Sequence, residues 1–354
     1  MPGPLVSICV PTCNRASDLR EGLRSIRAQE YSPLEILISD NASEDETESV
    51  CREAARADPR IRYVRQPVNI GLYGNHNFLI EASRGDFLCF FHDHDDRDPR
   101  IVRTYASFLW DHPSVGVVCS DWELTDSEGK RLGIRRYRVK PVTPGLEYIE
   151  QTLRAGRSSV AAPGAMIRRR ALDGIWFDEN SPIGFGDFVV WFSIAERSAV
   201  GHIPEVLWKC RQDPRAQSTR TIVSMTYDYD VNLSRYCEKH LTRWPKHARQ
   251  VERWRRHIRR YLFWALAFEV GLHLRNGARL NHRSGQTLFE WFGYRLSPEA
   301  FQQSIERMRF YRADGMEHTA FWALQVMMKL HLTRPMVWAT THPGFFRRLL
   351  GLKE

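Results

Sequence analysis

The chain has 354 residues, 43% hydrophobic and 26% charged, which suffices for a sizeable core and excludes a disordered or fibrous protein. Its formal charge of +9 is uneven: the stretch from Arg235 to the end carries +13, and the preceding residues carry −4. A near-neutral front and a basic back imply two functional regions.

Seven scattered cysteines (Cys9, Cys13, Cys51, Cys89, Cys119, Cys210 and Cys237) include no C-x-x-C pair, so they read as small core residues in a reducing compartment. Met1-Pro2-Gly3-Pro4 lacks the basic head and apolar stretch of a secretory signal. No window reaches the roughly 20 apolar residues that cross a bilayer; the closest, residues 261–274, contains Glu269 and His273. A cytoplasmic protein is expected.

In chain order, residues 5–10 read as a buried strand stopped by Pro11, followed by a helix from about Ser17 with Leu19, Leu23 and Ile26 on one face. Residues 34–39 form a second strand. Ser43 with Glu46 reads as a capping box opening the next helix. Strands at 61–64, 86–91 and 115–119 alternate with helices at about 73–83 and after Pro99. Residues 126–130 read as a hairpin turn, Gly164-Ala165-Met166-Ile167 as a strand, and 188–195 as a short helix. From about 222 the pattern is helical and holds six of the eleven tryptophans. The alternation predicts an α/β fold, a parallel sheet with helices on both faces. Ligands in such sheets bind beyond the carboxyl ends of the strands.

His92-Asp93-His94-Asp95-Asp96-Arg97-Asp98 leaves the fourth strand. Four carboxylates so close repel one another, and a divalent cation such as Mg2+ or Mn2+ would relieve this. A solvated acidic turn is the alternative, with Asp98 as N-cap of the following helix; the position at a strand's carboxyl end favours the metal. His92 and His94 are expected to point apart and so to be poor co-ligands.

Four segments in order resemble the family 2 glycosyltransferases, inverting enzymes with a GT-A fold, over roughly residues 5–215. They are Val6-Ser7-Ile8-Cys9-Val10-Pro11-Thr12-Cys13-Asn14-Arg15, then Glu35-Ile36-Leu37-Ile38-Ser39-Asp40-Asn41-Ala42-Ser43-Glu44-Asp45, then Asn69-Ile70-Gly71 with Asn77, then residues 85–96 ending in Asp93-His94-Asp95-Asp96. The resemblance implies a GT-A catalytic domain over 1–220, with nucleotide-sugar binding in 1–120 and the acceptor side in 121–220, and a helical basic region over 221–354. It implies a nucleotide site of Pro11, Thr12, Asn14, Arg15, Asp40, Asn69, Gly71, Asn77 and Asp93, with Asp40 on the donor base, most simply uracil, and Asp93 on the ribose. Asp93 and Asp95 would hold Mn2+ or Mg2+ against the diphosphate of a UDP-sugar. Gly184-Phe185-Gly186-Asp187 with Trp191 is similar to the family's segment before a short helix, and makes Asp187 the base that activates an acceptor hydroxyl; an ordinary N-cap is the alternative. Gly186 stands where the family often has Glu. Asp213 stands where the family often has His, either as a further metal ligand or with that contact absent.

Arg253, Arg255, Arg256, Arg259 and Arg260, and Phe345-Phe346-Arg347-Arg348, suit either a helical cap or an anionic membrane surface, the latter fitting a lipid-linked glycan acceptor and a peripheral location at the inner face of the membrane. A nucleotidyltransferase would use a Gly-rich turn after the first strand, and a dehydrogenase G-x-G-x-x-G; neither is present. Binding of nucleic acid, suggested by the basic last third, lacks a reader motif and a basic front half, so no nucleic-acid partner is expected.

Overall fold

The computed structural model describes residues 3–126, 128–155, 158–179 and 186–211. The chain divides after Asp213 into two units, and every described residue lies in the first. Asp213, the basic runs at 253–260 and 345–348, and the expected region 221–354 lie outside the described residues.

Strands β1 (Val6–Thr12), β2 (Leu34–Asp40), β3 (Ile61–Arg65) and β4 (Phe87–Phe90) alternate with helices α1 (Ala16–Arg27), α2 (Thr47–Ala57) and α3 (Gly71–Ala82). There follow β5 (Asp96–Arg97), α4 (Ile101–Asp111), β6 (Val115–Thr125), β7 (Arg131–Arg135), β8 (Val142–Thr143), α5 (Gly145–Ala155), β9 (Ala165–Arg168), α6 (Gly186–Ala195) and β10 (Ala199–Arg211). The sheet runs β3-β2-β1-β4-β9-β6-β10-β5, with β7 beside β6 and β8 beside β10.

Pairing among β3, β2, β1 and β4 is parallel, as the alternation predicts. The second half departs from the all-parallel expectation. β9 runs antiparallel to both β4 and β6, which makes the sheet mixed. Residues 126–130 do close a hairpin: the Asp126 carboxylate accepts the Glu128 and Lys130 backbone N–H groups at 3.0 and 2.9 Å, and β7 pairs back on β6.

β1 is buried at all seven positions and continues through Pro11. The proline is tolerated because its missing N–H faces the β4 side. Cys9 bonds toward β4 and Thr12 toward β2, and the pairing with β4 stops at Cys9. Pro11 thus removes no rung of the ladder. The capping box is not formed. The Ser43 hydroxyl instead accepts the Asn14 N–H, and α2 starts at Thr47.

The winding reverses at β1: the chain builds outward through β2 and β3, then crosses back to place β4 on the other flank of β1. Such a switch point leaves a crevice beyond the carboxyl ends of the two strands. Here it is bordered by residues 12–15 and 91–95. Among the described residues, no helix is long and apolar enough to cross a membrane.

Helix α1 packs so tightly on this crevice that a Cβ on Gly22 would lie 2.3 Å from the Asp93 carbonyl oxygen. Gly22→Ala gains about 1 kcal/mol of helix propensity, but overpacking against backbone costs about 1–3 kcal/mol. Backbone cannot give way as a flexible side chain can, so the clash wins, and urea denaturation should read a net loss of up to about 2 kcal/mol.

Candidate active site

Thr12 and Asp40 are paired across the ends of β1 and β2. Asp40 is fully buried. Its two carboxylate oxygens accept the Ser43 N–H and the Tyr63 hydroxyl, both at 2.9 Å, with Arg65 Nε 3.7 Å away. Asn14 takes a left-handed turn (φ 53°), and its side-chain oxygen accepts the Glu44 N–H. The Asp45 carboxylate accepts the first N–H of α1 and the first of α2, each at 3.0 Å, so one acid ties both helix starts to the rim. Of the residues expected to form a nucleotide wall, Pro11 and Thr12 are buried in the strand, Asn14 is exposed and Arg15 is half-buried.

Asn69 and Gly71 border the same rim. The Asn41 amide donates to Asn69 Oδ1 at 2.9 Å, and Asn69 Oδ1 also accepts the Gly71 N–H, in a turn where Gly71 has φ 78°. Asn77 does not join this group. Its amide grips the Phe177 backbone on both sides, accepting the N–H and donating to the carbonyl at 2.9 Å each. An amide placed beside an extended backbone copies a ladder pair, and this latch is its observed role.

The acidic loop after β4 is not a set of bare repelling charges. Asp93 faces Arg15 at 3.3 Å, Asp95 faces Arg97 at 3.4 Å, Asp96 faces Lys209 at 3.4 Å, and Asp98 faces Arg100 at 2.9 Å. Each carboxylate has a basic partner, which corrects the inference that repulsion alone calls for a cation. Asp98 accepts the Arg100 N–H ahead of α4, while α4 itself starts without a side-chain cap. Asp93 is also the acceptor for Thr12 Oγ1 at 2.8 Å.

Arg97 escaped sequence reasoning. Its side chain is fully buried, lies over the Phe91 ring at 4.3 Å, and donates to the His92 and Pro163 carbonyls at 3.2 and 3.1 Å. The available signal was a lone cation in an acidic run beside an apolar strand. Burial lowers its pKa, an effect opposed by Asp95.

His92 and His94 do not diverge. They are second neighbours on a bent segment, and their ring centroids are 5.7 Å apart. With Asp95 they offer ligand atoms that all lie within 4.8 Å of one another. His94 Nδ1 donates to Asp93 Oδ1 at 3.0 Å, and its Nε2 lies 3.7 Å from Asp95 Oδ1. The backbone N–H of Arg211 reaches the same Asp95 oxygen at 3.2 Å. Burial holds His92 neutral, with its pKa well below the usual value, and the charge of His94 adds to this. For His94, burial disfavours the charged form, but the bond to Asp93 and the charges of Asp95 and Asp93 outweigh it and raise the pKa.

Asp187 lies in the first turn of α6. The preceding Gly186 donates its N–H to the Tyr73 hydroxyl at 3.0 Å, and a Cβ there would meet the Tyr73 ring at 2.5 Å. That close approach seats the helix on α3, two residues past Gly71. Burial raises the Asp187 carboxyl to about 6.

Removing one member of a buried ion pair strands the other, at a cost of about 3–5 kcal/mol. Arg97→Ala should therefore lower stability by about that amount in urea denaturation. Lys209→Ala, which breaks the exposed pair with Asp96, should cost less than about 1 kcal/mol.

Residues 7–176 match the family model described as Glycosyl transferase family 2. The protein MT1568 of Mycobacterium tuberculosis is 28% identical over 232 residues, covering 62% of this chain and 71% of its own. The GalNAc(5)-diNAcBac-PP-undecaprenol beta-1,3-glucosyltransferase of Campylobacter jejuni is 37% identical over 94 residues, 26% of this chain and 30% of that enzyme. Among solved structures, the mannosyltransferase PcManGT of Pyrobaculum calidifontis, in complex with GDP-Man and Mn2+, aligns with TM-score 0.50 and 18% identity over 93% of this chain and 86% of that one. S. aureus TarS 1-349 with UDP-GlcNAc aligns with TM-score 0.50 and 17% identity over 66% of each chain. Together with the mixed sheet and the crevice at β1 and β4, the matches show a GT-A fold, and residues 7–176 form a glycosyl transferase family 2 domain.

Proposed function

We propose that this glycosyltransferase moves a sugar from a nucleotide-diphosphate donor, most simply a UDP-sugar, to an acceptor hydroxyl with inversion. The observation that carries the reading is the convergence of Thr12, Arg15, Asp93 and Asp95 at the switch-point crevice of a family 2 domain. Asn14, Arg15, Asn69 and Gly71 border the nucleotide. Asp40 reaches the base only through lone pairs beyond its bonds to Ser43 and Tyr63. The residues fit a divalent cation, Mn2+ or Mg2+: Asp95 offers carboxylate oxygens beside two imidazoles, and Asp93 supports them. Such an ion, when bound, supplies Lewis-acid charge for the diphosphate leaving group. Asp213 would supply a further oxygen ligand to that ion.

Inversion in one displacement requires a base on the face of the sugar opposite the leaving diphosphate. Asp187 is assigned this role. Its carboxylate accepts the acceptor's hydroxyl proton as the oxygen attacks the anomeric carbon and the bond to the diphosphate breaks. A carboxyl near pH 6 is better matched to that transfer than an ordinary one. The acceptor is proposed to be a sugar or a lipid-linked glycan, in keeping with the Campylobacter relative's name. The basic region 221–354 would then meet the inner face of the membrane.

A screen of nucleotide sugars with Mn2+ should raise the melting temperature with a UDP-sugar and not with sugars carried on other nucleotides, because ligand that binds only the folded state stabilises it by about 2.7 kcal/mol at a hundred times Kd. No shift with any nucleotide sugar would remove the reading. Asp187→Asn should lower kcat by about 100- to 10,000-fold with donor binding kept. In the wild type, kcat/KM should fall as pH drops through about 6, because the base is then protonated. The same raised pKa favours the folded state below about pH 4, and that contribution is lost as pH rises through about 6.

A further inference from the structure

We propose that His92, His94 and Asp95 bind one transition-metal dication, taking Mn2+ or Co2+ in preference to Mg2+, with Asp93 as the outer partner that orients His94. This rests on the glycosyl-transfer reading only for the diphosphate that completes the ion's coordination.

Three observations support it independently of any carboxylate repulsion, which the basic partners already relieve. His94 holds its Nδ1–H on Asp93, so in the neutral ring Nε2 is the nitrogen left to ligate, and that atom lies 3.7 Å from Asp95 Oδ1. Metal–ligand bonds of about 2.1 Å place neighbouring ligands about 3–4 Å apart, so this pair is already spaced to share an ion. His92 completes the set, with all three ligand atoms within 4.8 Å of one another. Closing the set brings the widest pair together by about 1–2 Å, within reach of side-chain rotation.

The third observation is the outer shell. A ligating histidine ordinarily donates its other ring N–H to a carboxylate or carbonyl, which sets the tautomer and the ring angle. Asp93 does this here and is itself held by Thr12 at 2.8 Å and Arg15 at 3.3 Å. Asp93 thereby changes from an expected metal ligand to a positioning residue. It has little freedom left to turn toward an ion.

Two imidazoles and one carboxylate on one face leave open positions for phosphate oxygens, and imidazole suits later first-row metals while Mg2+ prefers an all-oxygen shell. The charge of Arg97 beside Asp95 opposes a lone dication, so ion and diphosphate should bind together.

The test uses the full chain with Mn2+, Co2+ or Mg2+, with and without UDP, followed by calorimetry and by pulsed EPR of bound Mn2+. Expected is directly coordinated imidazole nitrogen in the wild type, and Mn2+ binding at least tenfold tighter with UDP than without. His92→Gln and His94→Gln should each lose one nitrogen and at least tenfold in Mn2+ affinity, with Mg2+ affinity changed less than twofold. Asp93→Asn should weaken Mn2+ about tenfold while nitrogen coordination persists. Absence of nitrogen around wild-type Mn2+, or Mg2+ bound as tightly as Mn2+, overturns the proposal without reference to any variant's folding. Nitrogen ligation with no turnover of any nucleotide sugar would instead remove the glycosyl-transfer reading and leave the metal site standing.

Discussion

Asp93 is held from three sides, by the Thr12 hydroxyl at the end of β1, by the Arg15 guanidinium before α1, and by the His94 ring of its own loop. This one carboxylate joins the two banks of the crevice that the sheet opens between β1 and β4. Buried at 3% exposure, it is tolerable only because each oxygen has a partner. The tight seat of Gly22 on its carbonyl fixes the loop from the helix side. The rim on the other bank is built in the same manner, with Asp45, Asn14 and Asn41 satisfying helix starts and turns through side chains rather than through regular ladders.

Electrostatics at the site are nearly balanced before any ligand arrives. Four acids in one loop meet four bases, drawn from β5, β10 and the residues just before α1 and α4. The two pairs nearest the crevice are also the most buried, where pairing matters most. Under the proposed reading, a dication and a diphosphate arriving together would keep this balance, whereas either alone would upset it. At the start of α6, burial leaves Asp187 a weaker acid and hence a stronger base, with no ion pair to a basic side chain among the described residues.

Much of this was legible from local pattern. The strand–helix alternation, the buried runs of β1, β2 and β4, the hairpin at 126–130 and the cluster of polar residues at strand ends follow from periodicity and turn chemistry, which act over a few residues. The capping box at Ser43 failed for a nonlocal reason: Asn14, 29 positions away, took its hydroxyl. Asn77 likewise became a latch on Phe177, 100 positions on.

What the amino-acid order alone determined was the α/β class, the crevice-forming ends and the chemical types gathered there, because side-chain alternation and loop composition are short-range properties. Only the tertiary structure decided that β9 enters antiparallel, that Arg97 is buried against Asp95, and that His92 and His94 converge on that same carboxylate. Those outcomes depend on strand order and on the curvature of a loop packed between α1 and β10. Neither is encoded in the spacing of neighbouring residues, since each arises from contacts between segments far apart in the chain.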